Sequence, residues 1–211
     1  MKTQKNTNVV MFTLMERLWH WIQAFSMVML AISGISIHWP GSIIGSMESA
    51  STMHHLFGYI VTINFVVWLA YMITTGRIHL YLPKKEDEYP LSIFKQAKFY
   101  IADIYFTNKH PYHVGPNNRM NPMQKVAYNG VMFAALPAQM ITGFILMFGG
   151  ASVHTALLIH VLVGAFFVLF IVGHMYLATT GHTPLALFKE MIHGYEEDLV
   201  KTTEKPAKEE K

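Results

Sequence analysis

The sequence predicts an all-α integral membrane protein, a four-transmembrane-helix bundle with both termini on the cytoplasmic side. Three observations predict it. Four stretches (18–37, 55–75, 126–148 and 156–178) are apolar and free of Asp, Glu, Lys and Arg. Each is long enough to cross hydrocarbon, which takes about 20 helical residues. Only 14% of the 211 residues are charged, against about 25% in a soluble domain. Finally, the sixteen Lys and Arg are segregated: they lie up to residue 17, between 77 and 125, or from 189 onward. Connections 38–54 and 149–154 hold none. Cytoplasmic segments collect the cations, so the termini and the middle connection are placed inside.

Taken in order, residues 1–17 form a short polar lead. Lysines before an apolar run suit a secretory leader, but Glu16 and Arg17 interrupt the stretch and no small-residue cleavage site follows closely. The first helix is therefore read as retained. Trp19, Trp21, Trp39 and Tyr176 fall near predicted boundaries, as interfacial aromatic belts do. The second span leads into a connection of about fifty residues, too long for a turn. Within it, 90–106 places Leu91, Phe94, Ala97, Ile101 and Ile104 at helical spacing, with Ser92, Lys95 and Gln96 elsewhere. That predicts an amphipathic helix in the cytoplasmic interface. "NKHPYHVGPNNRMNP" (108–122) then reads as an ordered loop returning to the membrane. The division is a membrane domain over 1–195 and a charged cytoplasmic tail over 196–211, with no soluble domain and no clear internal repeat. The chain has no cysteine, which excludes disulfides, Cys-ligated iron–sulfur clusters and covalently attached haem. A net charge of +3 is explained by the anionic inner leaflet and requires no nucleic acid.

Ionisable side chains inside a spanning helix are expensive and mark function. His160 and His174 lie 14 residues apart in the fourth span. At about 1.5 Å and 100° per residue they are roughly 21 Å apart and share a face. His174 is toward the cytoplasm and His160 toward the outside. His20 enters with the first span at the depth of His174, and His54 or His55 begins the second at the depth of His160. A lone histidine here is as readily a packing residue, but four at matched depths form two layers of paired imidazoles. Such layers suit two bis-histidine b-type haems. Gly34, 14 residues after His20, and Gly58 and Gly164, each four after an outer histidine, leave room for a flat macrocycle. His38, His79, His110, His113, His154, His182 and His193 fall at boundaries or in loops and read as interfacial or solvated.

At "ERLWHW" (16–21), "AISGIS" (31–36), "HHLFG" (54–58), "NPMQK" (121–125), "LLIH" (157–160) and "HMYLATTG" (174–181) the chain resembles a known family. It is the diheme cytochrome b (gamma) subunit that anchors respiratory formate dehydrogenases. Related b subunits serve some nickel–iron hydrogenases and thiosulfate reductases. The resemblance spans nearly the whole chain outside the tail. It implies His20 and His174 on the inner haem and His54 and His160 on the outer one, the His-x-x-x-Gly motif selecting His54 over His55. It also implies a site for menaquinone or ubiquinone near the inner haem, using Asn121 and Gln124 at the foot of the third helix. Met123 stands where the family often has glycine, and Pro122 departs as well. Read by themselves, Asn121 and Pro122 are an ordinary helix start, which is compatible with that role. Arg17, one turn before His20, is a candidate partner for a haem propionate and equally an ordinary flanking cation.

The function expected is that of a membrane-anchoring subunit in a bacterial or archaeal inner membrane. It would move electrons between an outward-facing iron–sulfur or multihaem partner and quinone at the cytoplasmic side, with substrate catalysis in a partner subunit, formate dehydrogenase above all. A quinol-oxidising subunit feeding an outer reductase is the nearest alternative. A haem-free, histidine-lined ion transporter needs other polar or charged groups along a path; the spans offer mainly Gln23, Asn64, Asn129 and Gln139 and no carboxylate, which weakens that reading. A di-metal enzyme built on His54 and His55 needs histidines clustered at one depth.

Overall fold

A computed structural model describes residues 10–84, 87–107, 111–112, 119–149, 152–181 and 183–195. The tail 196–211 and His110, His113 and His182 lie outside the described residues. The helices, in order, are α1 (Leu14–His38), α2 (Met47–Thr74), α3 (Leu91–Ile101), α4 (Pro122–Gly130), α5 (Leu136–Phe148), α6 (Val153–Ala178) and α7 (Ala186–His193). Among the described residues, four segments are long and apolar enough to cross a membrane: α1, α2, α4 with α5 as Pro122–Phe148, and α6. Among the described residues there is no strand, only an isolated bridge between Val10 and Tyr195. The bridge brings the two described ends of the chain to one end of the bundle, here called the base.

Local chemistry sets the helix starts. Thr13 and Glu16 form a reciprocal cap: the Glu16 N–H donates to the Thr13 hydroxyl, and the Thr13 N–H donates to the Glu16 carboxylate at 2.7 Å. Helix α1 therefore begins four residues before the apolar run and includes Glu16 and Arg17. The buried Glu16 carboxylate is matched by Arg77 at 3.1 Å and Arg119 at 3.0 Å. Ser46 caps α2 through the Ser49 N–H. That helix begins eight residues earlier than the hydrocarbon-length stretch, so His54 lies two turns inside it. Asn121 caps α4 with Pro122 in its first turn.

The third span is not one regular helix. Between α4 and α5 the chain widens into a π-helical turn, Val131–Ala135. Pro137, in the first turn of α5, cannot donate to the carbonyl four residues back and crowds it. A one-residue widening relieves such a conflict.

At the centre, Val61, Phe65, Trp68 and Met72 of α2 pack on Val131, Met132 and Leu136 of the third span and on Phe167 of α6. Trp19 of α1 stacks on Trp68 at 5.3 Å. Much of the remaining apolar surface faces outward; Leu169 is 73% exposed and α6 buries only Ala156 and Phe167 among its residues. Such surface is costly in water and ordinary against lipid tails.

The base is closed by polar contacts. Lys125, 1% exposed, donates to both oxygens of Asp87 at 2.8 and 3.0 Å and ties the middle connection to α4. Burial alone would raise the Asp87 pKa, but the Lys125 ammonium and the Lys84 N–H hold it below the usual carboxylate value. Burial, reinforced by the Glu16 carboxylate, pushes the Tyr81 phenol up to about 12. Helix α7 folds back on α1, where Trp21 donates to the Met191 carbonyl at 3.0 Å. Gly194 follows at φ 88°, and a Cβ there would lie 2.7 Å from the Phe12 carbonyl oxygen, so the turn requires glycine.

Helix α3 occupies the stretch expected to be amphipathic. Ser92, Gln96 and Phe99 are buried, while Leu91, Phe94 and Ile101 are exposed. The polar stripe thus packs inward and most of the apolar stripe looks out.

Candidate functional site

The bundle brings the four histidines into two pairs. At the end away from the base, His54 of α2 and His160 of α6 face each other with ring centroids 6.1 Å apart. At the base, His20 of α1 and His174 of α6 do the same, again at 6.1 Å. A metal–imidazole bond is about 2 Å long. Two such bonds and the two half-rings span roughly 6 Å, so each pair is spaced for one metal ion between its rings. His54, not His55, meets His160; His55 is exposed.

At the far pair the ring nitrogens are sorted by their partners. Ser33, fully buried on α1, places Oγ 2.9 Å from His54 Nδ1 and donates its own proton to the Met29 carbonyl at 2.7 Å. Toward His54 it can therefore only accept. Nδ1 carries the ring proton and Nε2 keeps its lone pair. Thr142 on α5 repeats this: it lies 3.0 Å from His160 Nδ1 and donates to the Ala138 carbonyl at 2.7 Å. The rings also hydrogen-bond the backbones of Leu30 and Gln139, respectively. Anchoring Nδ1 in this way fixes the ring and frees Nε2 as a metal ligand.

A glycine follows each hydroxyl residue. A Cβ on Gly34 would come 3.4 Å from His54 Cε1, and one on Gly143 would come 3.3 Å from His160 Cε1. Both glycines admit the imidazole close to the helix backbone. A Cβ on Gly58 would meet nothing within 4 Å, and one on Gly164 only the Gln139 amide at 3.5 Å. The Gly58 position thus leaves open space one turn from the His54 ring.

The base pair is held differently. His174 Nδ1 lies 2.9 Å from the Tyr128 hydroxyl, and Phe170 stacks on the same imidazole at 5.8 Å. His20 packs edge-on against Trp21, and its buried Nδ1 has no partner among the described residues. No cluster of three or more His, Cys, Asp or Glu suited to a bare metal ion occurs among the described residues. A bare Zn²⁺ takes three or four protein ligands. A haem brings four nitrogens of its own and needs only two axial ligands, so two isolated imidazole pairs fit haem and not a protein-ligated ion.

The two halves of the far site also reveal a repeat that the sequence hides. Ser33–Gly34 of α1 faces His54-x-x-x-Gly58 of α2; Thr142–Gly143 of α5 faces His160-x-x-x-Gly164 of α6. The separation from hydroxyl to histidine is 21 residues in one half and 18 in the other. His20 lies 14 residues before Gly34, and Tyr128 lies 15 before Gly143, the π turn falling between. Trp68 lies 14 after His54 as His174 lies 14 after His160. At the base, then, each half contributes one histidine, and Tyr128 and Trp68 occupy the equivalent places.

The remaining predicted residues are at the base. Arg17 donates to the Ile192 carbonyl of α7. Asn121 and Gln124 close the cap of α4 on each other: Asn121 Oδ1 accepts from the Gln124 N–H at 2.9 Å, and Gln124 Oε1 accepts from the Asn121 N–H at 3.1 Å. The Asn121 amide nitrogen donates to the Tyr100 hydroxyl at 3.0 Å. Ser33, Thr142, Gly143 and Tyr128 were not among the predicted site residues. A second Ser/Thr-Gly step in an apolar span was the available signal.

Residues 11–194 match the sequence profile described as prokaryotic cytochrome b561. The chain is 30% identical over 203 residues to YdhU of Escherichia coli (strain K12), a candidate cytochrome, covering 92% of this chain and 76% of that protein. With four membrane-length helices and paired imidazoles suited to haem, the chain belongs to the prokaryotic cytochrome b561 family, the multi-pass membrane proteins that transfer electrons through b-type haem.

Proposed function

We propose that this protein is a diheme cytochrome b that carries electrons between an outward-facing redox subunit and quinone at the base. The observation that supports it is the recurrence of one geometry at two depths: two imidazole pairs, each with centroids 6.1 Å apart, sharing α6 at a 14-residue spacing. His54 and His160 hold the outer haem and His20 and His174 the inner one. Haem supplies reversible one-electron transfer at iron. The chain does the rest: Ser33 and Thr142 orient the outer imidazoles, Gly34 and Gly143 admit them, and the apolar span faces exclude water.

The base faces the cytoplasm. Arg17, Arg77, Arg119, Lys125 and Lys189 all stand at that end, as the distribution of cations across a membrane favours. Helix α3 lies in that interface with Leu91, Phe94 and Ile101 toward lipid. Quinone, menaquinone or ubiquinone, reacts beside the inner pair. With the cap of α4 occupying both amide oxygens and the Asn121 amide nitrogen spent on Tyr100, Gln124 Nε2 is the group of that motif available to it. The partners are an outward-facing iron–sulfur or multihaem subunit and a catalytic subunit of the formate dehydrogenase kind, in a bacterial or archaeal inner membrane.

The test is a reduced-minus-oxidised spectrum of the purified protein, with haem counted as the pyridine haemochrome. Two b haems per chain are expected. A single haem, or none in folded protein produced with ample haem, overturns the reading.

A further inference from the structure

We infer that Tyr128 binds the quinone directly, its hydroxyl bridging His174 and a quinone carbonyl at the base of the bundle. This rests on the reading of the base as the quinone side.

Three hydroxyl protons at the histidines have different destinations. Ser33, Thr142 and Tyr128 each place an oxygen on the Nδ1 of one histidine. For Ser33 and Thr142 the proton is committed, at 2.7 Å, to a carbonyl of the residue's own helix. A tyrosine hydroxyl is too far from its own backbone for that, and the one hydrogen-bond partner Tyr128 has among the described residues is His174. When His174 gives Nε2 to iron, Nδ1 carries the proton and donates to the Tyr128 oxygen. The phenol proton is then left without an acceptor, which a buried hydroxyl does not tolerate well. A molecule offering a carbonyl oxygen satisfies it.

The surroundings match a quinone. Phe170 meets Tyr128 edge-on at 6.1 Å and stacks nearly parallel, at 12°, on His174, giving an aromatic wall for a flat ring. Gln124 lies four residues before Tyr128 on α4, one turn away on the same face. Its amide nitrogen is left over from the cap, so a second donor stands beside the first. Beside the site, Gly173, next to His174, is exposed, and a Cβ there would meet nothing within 4 Å, so α6 puts no side chain at that point. By position in the repeat, Tyr128 stands where the other half has His20, so a ligand position has become a substrate contact.

The experiment titrates a short-chain menaquinone into the purified full chain and its Tyr128→Phe variant, reading binding by calorimetry and haem content by spectrum. Both proteins should keep two haems, because His174 keeps Nε2. Tyr128→Phe should bind quinone roughly three- to tenfold more weakly, the effect of one hydrogen bond. Equal binding with both haems retained overturns the inference alone. Loss of a haem in the variant overturns it too, making Tyr128 a structural support of His174. No binding by the unaltered protein overturns the quinone reading itself.

Discussion

Ser33 Oγ lies 2.9 Å from His54 Nδ1, and because its proton goes to Met29, it pins the imidazole as the Nδ1–H tautomer. Thr142 does the same for His160, so the pair away from the base is oriented by two hydroxyls from neighbouring helices rather than by carboxylates.

Replacing Ser33 with Ala should therefore weaken retention of the outer haem about tenfold, the lower end of what losing an outer-shell partner costs. Its midpoint potential should rise, since an N–H···O bond makes the imidazole a stronger electron donor to ferric iron. Redox titration of the variant, followed at the haem absorbance bands, checks both. The inner haem should not move.

The histidine doublet gives a second prediction. His55 is exposed on α2 while His54 faces His160. His55→Ala should leave two haems per chain and His54→Ala should leave one, counted as the pyridine haemochrome. Loss of a haem in His55→Ala would reverse the assignment.

A third concerns the base. Asp87 is 7% exposed and Lys125 1%, so Asp87→Asn leaves a buried ammonium without its counter-charge. Breaking such a pair from one side costs about 3–5 kcal/mol, seen as a lower melting temperature in detergent at neutral pH. Asp87→Asn with Lys125→Met should recover much of it. The pH dependence has a definite sign, because the folded-state pKa of Asp87 is depressed. The stabilisation is complete above the unfolded value of about 3.9 and fades as pH falls through the folded one. In the Asp87→Asn variant that acid-dependent loss should be smaller.

The spans were legible because hydrocarbon demands long apolar runs, and the paired depths because 14 residues return a helix to the same face. Helix ends were not. Glu16 looked like an interruption since nothing local announces Arg77 and Arg119, which neutralise it from 61 and 103 residues away. The polar turn that begins α2 lies before the hydrocarbon-length run, so hydropathy missed it. Depth could not separate His54 from His55; the resemblance selects His54, and it is His54 that α2 turns toward His160. Ser33 stood within the "AISGIS" stretch without a role, and Thr142 was passed over, because a hydroxyl in a spanning helix ordinarily satisfies its own backbone, which both do in addition to holding a histidine.

The twofold recurrence of a Ser/Thr-Gly step opposite a His-x-x-x-Gly helix makes the far site pseudo-symmetric, each half bringing one histidine, one hydroxyl and one glycine. Two separate copies of a hairpin like α1 and α2 would present His54 twice in the same way, as a homodimer. The His20–His174 pair could not arise in such a homodimer without also placing histidine at the positions of Tyr128 and Trp68. A single chain is free of that constraint. Its two halves can differ at the base, and they do, with Tyr128 where the first half has His20 and Trp68 where the second has His174.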